Sequence, residues 1–490
     1  MIFRLVWRSI RFAPGRSLLM LGGYALGVGV MVALLSIGDA MVSQSRDRDL
    51  VGGGDLAVLP AGIDLETLRT GGVSSLYFDI DLARYYQREV LAGPRLARSV
   101  EAAAPWLDDE LLYARIGDST WAISAGGEIP SAAAALGVTP DLRSGSWADA
   151  DTDRRWADPT EDERLADVDA LHAPPPEAAG DSSWAEWHYF NVLSPDGERW
   201  LYLTYLVGGD LRGGAWGGQL LGTWVEANGG ERVYERSFGP DAVRFEPGRP
   251  ELVIGSDNRV RIEDGIYRLN AVVPAAEGRG ALTVDLQIDP APHRYLPALD
   301  ISPGAFPSGY AVPVLRGSAR GSVCVDGRCE DWTDARAYHD HNWGVWRDVT
   351  WDWGQFQLGE WSIIYGGIAR DTSASVPASA EGARFLFALD SLGLAAVLPI
   401  RSVEYTWSAD GPTRMVLDAG RGDDALRLEA DVDHVRSTVA DPRAGRRNVF
   451  YQLRAGATLS GRLPGGPVSA DGDGFFETWR RNVPTPADGP

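Results

Sequence analysis

WAEWHYFNVLSPDGERWLYLTYLVGGDLRGGAWGGQLLGTWVEA, residues 184–227, contains three strand-length runs rich in aromatic and β-branched residues: WAEWHYFNVL, RWLYLTYLV and QLLGTWVEA. Between them lie SPDGE and GGDLRGG, which carry the Pro, Asp and Gly that turns require. Short strands recurring at intervals of about 8–12 residues with turn chemistry between them predict an all-β sandwich or barrel. Further runs at Ser402–Ser408, Ala425–Val432 and Gln452–Leu459 continue the texture. Roughly 300 residues of it exceed one small barrel, so two are expected.

The whole chain has 490 residues and a formal net charge of −22, and every basic residue is arginine. A length beyond about 300 residues divides into domains. The acidic surface disfavours nucleic acid and anionic lipid as partners. Without a lysine amine there is no P-loop, no Schiff-base enzyme and no lysine general base.

Ser17–Gly38, SLLMLGGYALGVGVMVALLSIG, is uncharged. As a helix it covers about 33 Å, the thickness of a bilayer's hydrocarbon core. Arg4, Arg8, Arg11 and Arg16 precede it with no acid among them, whereas Asp39, Arg46, Asp47, Arg48 and Asp49 nearly cancel beyond it. This bias predicts a single-pass protein with a cytoplasmic N-terminus and an extracytoplasmic bulk. Gly38-Asp39-Ala40 also suits a signal-peptidase site, but the apolar run exceeds the usual signal core, which favours an uncleaved anchor.

In SVCVDGRCE, Asp326-Gly327 is a two-residue hairpin turn that places Cys324 opposite Cys329, within disulfide range. A disulfide would persist outside the cytoplasm. The competing reading, a two-cysteine metal corner, lacks further ligands nearby.

RLVWRSIRFAPGRSLLMLGGYALGVGVMVALLSIGDAM, followed by DLVGGGDLAVLP, resembles the start of a permease of the macrolide-exporter and cell-division class of ABC transporter. The resemblance continues through Val90–Leu107 and Ile129–Trp147, which would correspond to that class's extracytoplasmic domain. It implies components of an ABC transporter as partners. Residues 148–181, dense in acids, proline and small residues, read as a linker. The expected organisation is therefore an anchor over 1–50 with its helix at about 17–38, a small α+β permease-like segment over 51–147, the linker, and two barrels over 182–332 and 333–490.

Trp184–Leu206 and the block AYHDHNWGVWRDVTWDWGQFQLGEWSIIYGGI (Ala337–Ile368) together resemble the carotenoid 1,2-hydratase family, the hydroxyneurosporene synthases, and the lipocalin-like AttH-type proteins associated with ABC transporter operons. The resemblance implies two packed lipocalin-like β-barrels. It also implies cofactor-free addition of water to an isolated C=C bond of a carotenoid, another terpenoid or a lipid. Such chemistry needs an acid to protonate the alkene, aromatic faces for the cation, and a held water.

By the same resemblance, His341 and Trp343 line the active site and Tyr365 joins them, while the expected acid position falls on Gly367. Substitute acids are Asp340, Glu186 and Asp352. Trp187, Tyr189, His339, Trp351 and Trp353 are the expected ligand-binding residues. In a strand, His339, His341 and Trp343 face one way and Tyr338, Asp340 and Asn342 the other.

As metal ligands, His339 and His341 lack an evident third partner, so no metal is expected. As a structural network they would close a barrel or tie two domains together. With 18 tryptophans in the chain, ordinary barrel packing competes with an aromatic-lined cavity. No G-x-S-x-G elbow supports a serine hydrolase.

Overall fold

The computed structural model describes residues 7, 11–44, 56–58, 80–140, 145–300, 308–346, 350–369, 384–443 and 446–484. Two compact units emerge: Met1–Phe78 with Ala102–Asp149, and Asp79–Glu101 with Ala150–Pro490.

The first unit contains helix α1 (Pro14–Gln44) and an antiparallel hairpin of β1 (Trp106–Ile116) and β2 (Ser119–Glu128). By length and composition Pro14–Val32 is apolar enough to cross a membrane or to serve as a signal sequence.

The second unit is mainly β and consists of two barrel-like sheets. The first is built from β3 (Trp184–Leu193), β4 (Trp200–Asp210), β5 (Ala215–Val225), β6 (Glu231–Phe238), β7 (Val243–Phe245), β8 (Leu252–Ile254) and β9 (Asn258–Glu263). It continues with β10 (Ile266–Pro274), β11 (Ala281–Pro290), β12 (Leu296–Asp300), β13 (Gly309–Val325) and β14 (Arg328–Val345). The strand order is β6-β5-β4-β3-β14-β13-β11-β10-β9-β8-β7, with β12 on β13. The sheet curls until β6 touches β10, where Tyr234 bridges to Ala275. Eight strands then close the second barrel: β15 (Thr350–Leu358), β16 (Trp361–Ala369), β17 (Phe385–Asp390), β18 (Gly393–Trp407), β19 (Pro412–Arg421), β20 (Asp424–Arg443), β21 (Arg446–Leu463) and β22 (Gly466–Pro484).

Each sheet has its own buried apolar interior, the first around Phe190, Tyr205 and Leu286, the second around Phe356, Tyr365 and Phe476. A third apolar cluster, including Tyr189, Tyr310, Tyr338 and Phe475, lies where the outer faces of the two sheets meet.

Three sequence expectations meet a different arrangement. Strand β14 runs across the boundary expected at 332/333 and pairs along its length with β13 and β3, so the second barrel begins with β15. Residues 80–101, expected in the permease-like segment, belong to the second unit; Glu89 pairs with His293 and Arg95 with Asp390. The linker is folded: α2 (Asp151–Ala157) and α3 (Glu161–Val168) occupy it, with Thr160 capping α3 through a reciprocal capping box. Trp156, Leu165, Asp169 and Leu171 are buried, because the few apolar residues spaced among the acids suffice to anchor the segment on the sheet.

Cys324 and Cys329 are disulfide-bonded across the β13–β14 hairpin. Asp326 and Gly327 have φ of 51° and 85°, the pair of positive values a type I′ turn requires.

Candidate functional site

The β3–β14 register organises two sites on opposite sides of one sheet. Asp340 pairs with Tyr189 and Asn342 with Trp187, while His341 pairs with His188, Trp343 with Glu186 and His339 with Phe190. Because side chains alternate, the first two pairs point away from the first barrel and the other three into it.

The outward side opens on a cavity of about 830 Å³ between the two barrels. Trp187, Tyr189, Tyr202, Tyr310, Asp340 and Asn342 contribute from the first sheet; Trp351, Trp353, Phe385, Phe387, Phe450, Glu477 and Trp479 contribute from the second. Its walls are thus largely aromatic, with carboxyl groups set among them.

Asp340 accepts hydrogen bonds from Tyr338 Oη (2.9 Å) and Asn342 Nδ2 (2.8 Å). Burial nevertheless pushes its carboxyl well above the usual carboxylate range, aided by the nearby charge of Glu477. Burial also lifts Glu477 to about 7, against hydrogen bonds from Gln452 and the Trp351 side chain. Trp353 donates its indole N–H to Tyr310 Oη at 2.9 Å. The cavity therefore combines π-faces with buried carboxyls whose hold on a proton is raised by burial, a combination suited to delivering a proton to an apolar substrate.

Of the residues expected at a site, Asp340, Trp187, Tyr189, Trp351 and Trp353 come together here. Tyr365 does not: it is buried inside the second barrel with its hydroxyl 3.0 Å from Met415 Sδ. Gly367 lies in the cavity wall, and its cross-strand neighbour is Asp352. That carboxylate is bound by Thr478 (2.8 Å), Tyr405 (2.9 Å) and Arg480 (2.9 Å), which suits an ion-paired anion better than a proton donor. Glu477 and Trp479 escaped the sequence reading, although GFFETWRR alternates Phe475, Glu477 and Trp479 on one strand face and carries the signal.

The inward side holds His339, His341 and Trp343, which do not line the cavity; they join a second cluster inside the first barrel. His339 Nδ1 donates to the Tyr189 carbonyl at 3.0 Å, and its Nε2 lies 3.0 Å from Asp169 Oδ2. Tyr267 Oη also donates to Asp169 Oδ2, at 3.0 Å. His341 Nδ1 and His188 Nδ1 lie 3.0 and 3.3 Å from Asp169 Oδ1. On its other side His341 Nε2 is 2.8 Å from Glu186 Oε1, which also accepts the His172 backbone N–H at 2.7 Å. His172 stacks on Trp343, with ring centroids 3.7 Å apart.

Burial pulls His341 down to about 3, and it pushes Glu186 well above the usual range. For Asp169 burial acts upward, but His188 and His339 together outweigh it and hold the carboxyl well below its ordinary value. The partners that His339 and His341 lack in sequence are thus Asp169, His188, Glu186 and His172. Asp169 had no visible signal, because it lies among many acids in a segment read as solvated.

No protein-family model matches the chain, and no curated protein sequence matches it. Solved structures similar to it include a candidate AttH protein from Nitrosomonas europaea, with 16% identity and a TM-score of 0.45, covering 64% of this chain and 98% of that one. CghA with Sch210972 has 12% identity and a TM-score of 0.43, covering 64% and 95%. Kievitone hydratase from Nectria haematococca has 14% identity and a TM-score of 0.41, covering 64% and 97%.

Proposed function

We propose that the inter-barrel cavity binds a hydrophobic small molecule, a carotenoid, another terpenoid or a lipid, and that its buried carboxyls hydrate an isolated C=C bond by acid catalysis. The observation that carries this reading is Asp340, a buried carboxyl set in a cavity walled by Trp187, Trp351 and Trp353, where burial raises its hold on a proton. The Asp340 proton passes to the less substituted alkene carbon, leaving a tertiary cation against the indole faces. Water adds to the cation, and the proton it sheds returns to the Asp340 carboxylate, so the carboxyl is restored at each turnover. Glu477, near its midpoint at neutral pH, holds the water by hydrogen bonding. His341, Trp343 and Tyr365 have no direct part in this scheme; the first two support the strand that carries Asp340.

The test is incubation of the detergent-solubilised full-length protein with an acyclic carotenoid, followed by mass spectrometry for the gain of one water. A water adduct that disappears in Asp340→Asn supports the reading.

A second reading follows from Gly367, which stands in the cavity wall at the position where the resemblance implies an acid. Under it, the protein is a membrane-anchored lipid carrier that works beside an ABC transporter outside the cytoplasm. Ligand retained in the cavity without any water adduct supports that reading instead.

A further inference from the structure

The polar cluster inside the first barrel draws on three separate stretches of chain. Asp169 follows α3, His172 lies three residues beyond it, Glu186 and His188 are on β3, and His339 and His341 are on β14. All except His172 are fully buried. Phe190 stacks on His339 with centroids 4.0 Å apart, and Tyr205 and Tyr267 complete an otherwise apolar surrounding.

Its hydrogen bonding does not close. Since the Tyr189 carbonyl only accepts, His339 Nδ1 carries a proton, and Nε2 is left facing Asp169 Oδ2. That oxygen already accepts from Tyr267. The other oxygen, Oδ1, faces His341 Nδ1 and His188 Nδ1 without forming a hydrogen bond to either. Among the described residues nothing hydrogen-bonds either ring nitrogen of His188, nor Asp169 Oδ1, His341 Nδ1 or Glu186 Oε2. So many buried polar atoms without a hydrogen-bond partner are costly, and a cation at their focus would satisfy them.

The spacing suits one. Donor atoms bonded tetrahedrally to zinc at roughly 2.0–2.1 Å stand roughly 3.3 Å from each other. His188 Nδ1 and His341 Nδ1 stand 3.3 and 3.0 Å from Asp169 Oδ1, and His339 Nε2 stands 3.0 Å from the other oxygen, Oδ2. Asp169, His188 and His339 offer ligand atoms within 4.8 Å of one another, and so do His172, Glu186 and His341. Imidazoles with a carboxylate select zinc-class ions over calcium or magnesium, which prefer all-oxygen shells. The bond from His339 Nδ1 to the Tyr189 carbonyl is the outer-shell contact that orients a ligating histidine.

We infer that Asp169, His188 and His339 form a buried site for a zinc-class divalent cation, with His341 adjoining it and linking it to Glu186 and His172. The ion pins the segment after α3 to β3 and β14, whose opposite faces carry Trp187, Tyr189 and Asp340. This site does not depend on the reaction assigned to the cavity.

The test uses the full-length protein in detergent, stripped with a chelator, reloaded with zinc(II) and freed of excess metal. About one zinc per chain should be retained, with a rise in Tm on loading. Cobalt(II) in place of zinc should give the intense visible bands of a tetrahedral site. His188→Ala should lose the metal, whereas His434→Ala, at a histidine on the second barrel paired with Glu231, should keep it. Because His188→Ala could unfold the barrel, the cobalt spectrum of the unmutated protein decides. Failure of that protein to retain zinc, or a cobalt spectrum without tetrahedral bands, overturns the inference, as does full retention in a folded His188→Ala variant.

Discussion

Asp340 and His341 are consecutive on β14 and serve opposite sides of it: Asp340 enters the cavity between the barrels, and His341 lies 3.0 Å from Asp169 inside the first barrel. A one-residue slip of β14 against β3 would exchange them, so the register decides which group faces the cavity. The packing of the inner cluster and the geometry of the cavity are coupled through this strand.

Asp340→Asn keeps the hydrogen-bonding shape of the side chain and removes the acid. Water addition should fall by roughly 10²-fold or more, the usual worth of a positioned general acid. Retained binding of the apolar ligand, measured by quenching of tryptophan fluorescence, would place the loss in the chemical step. Unchanged turnover would remove Asp340 from the mechanism.

Glu477 ties stability to pH. Its carboxyl titrates at about 7 in the folded protein, above the ordinary value of 4.5. Between those two values the folded chain holds a proton that the unfolded chain has released, so this group's contribution is full below about 4.5 and is lost as pH rises through 7. Glu477→Gln should flatten the decline of stability across that window, by less than about 1.4 kcal/mol per pH unit. Urea titrations at several pH values would measure the difference in slope.

Gly309 faces Trp343 across β13 and β14, and a Cβ built there would lie 2.1 Å from the indole ring. Gly309→Ala must displace Trp343 from its stack on His172. A loss of about 1–3 kcal/mol is expected, as for other overpacked interiors. Chemical denaturation monitored by tryptophan fluorescence would report both the loss and the moved ring.

The disulfide closes a loop with a sequence separation of only 5, within a hairpin whose turn already holds the strands together. Replacing Cys324 and Cys329 with serine should therefore cost no more than about 2 kcal/mol. Equal unfolding midpoints for the double variant and for the reduced unmutated protein would be the expected result.

If Pro14–Val32 is an uncleaved anchor, the protein should stay in the membrane pellet after an alkaline carbonate wash and keep its full mass. A mass lacking the N-terminal helix, with the protein in the soluble fraction, would identify a signal sequence instead.

Local chemistry alone determined much of this protein. Alternating aromatic and β-branched runs specify strands, Asp326-Gly327 specifies the hairpin that joins the cysteines, and period-2 alternation separates Asp340 from His339 and His341. The apolar run of α1 is equally legible. What alternation does not contain is which face of each strand becomes the inside of a barrel, because that depends on how a sheet curls and closes on partners distant in sequence. Only the tertiary structure therefore sent Tyr365 into the second barrel's interior and brought Glu477 and Trp479 up to Asp340. For the same reason only the folded chain could carry Asp169 out of an acidic segment, past the reach of any local pattern, to the focus of His188, His339 and His341.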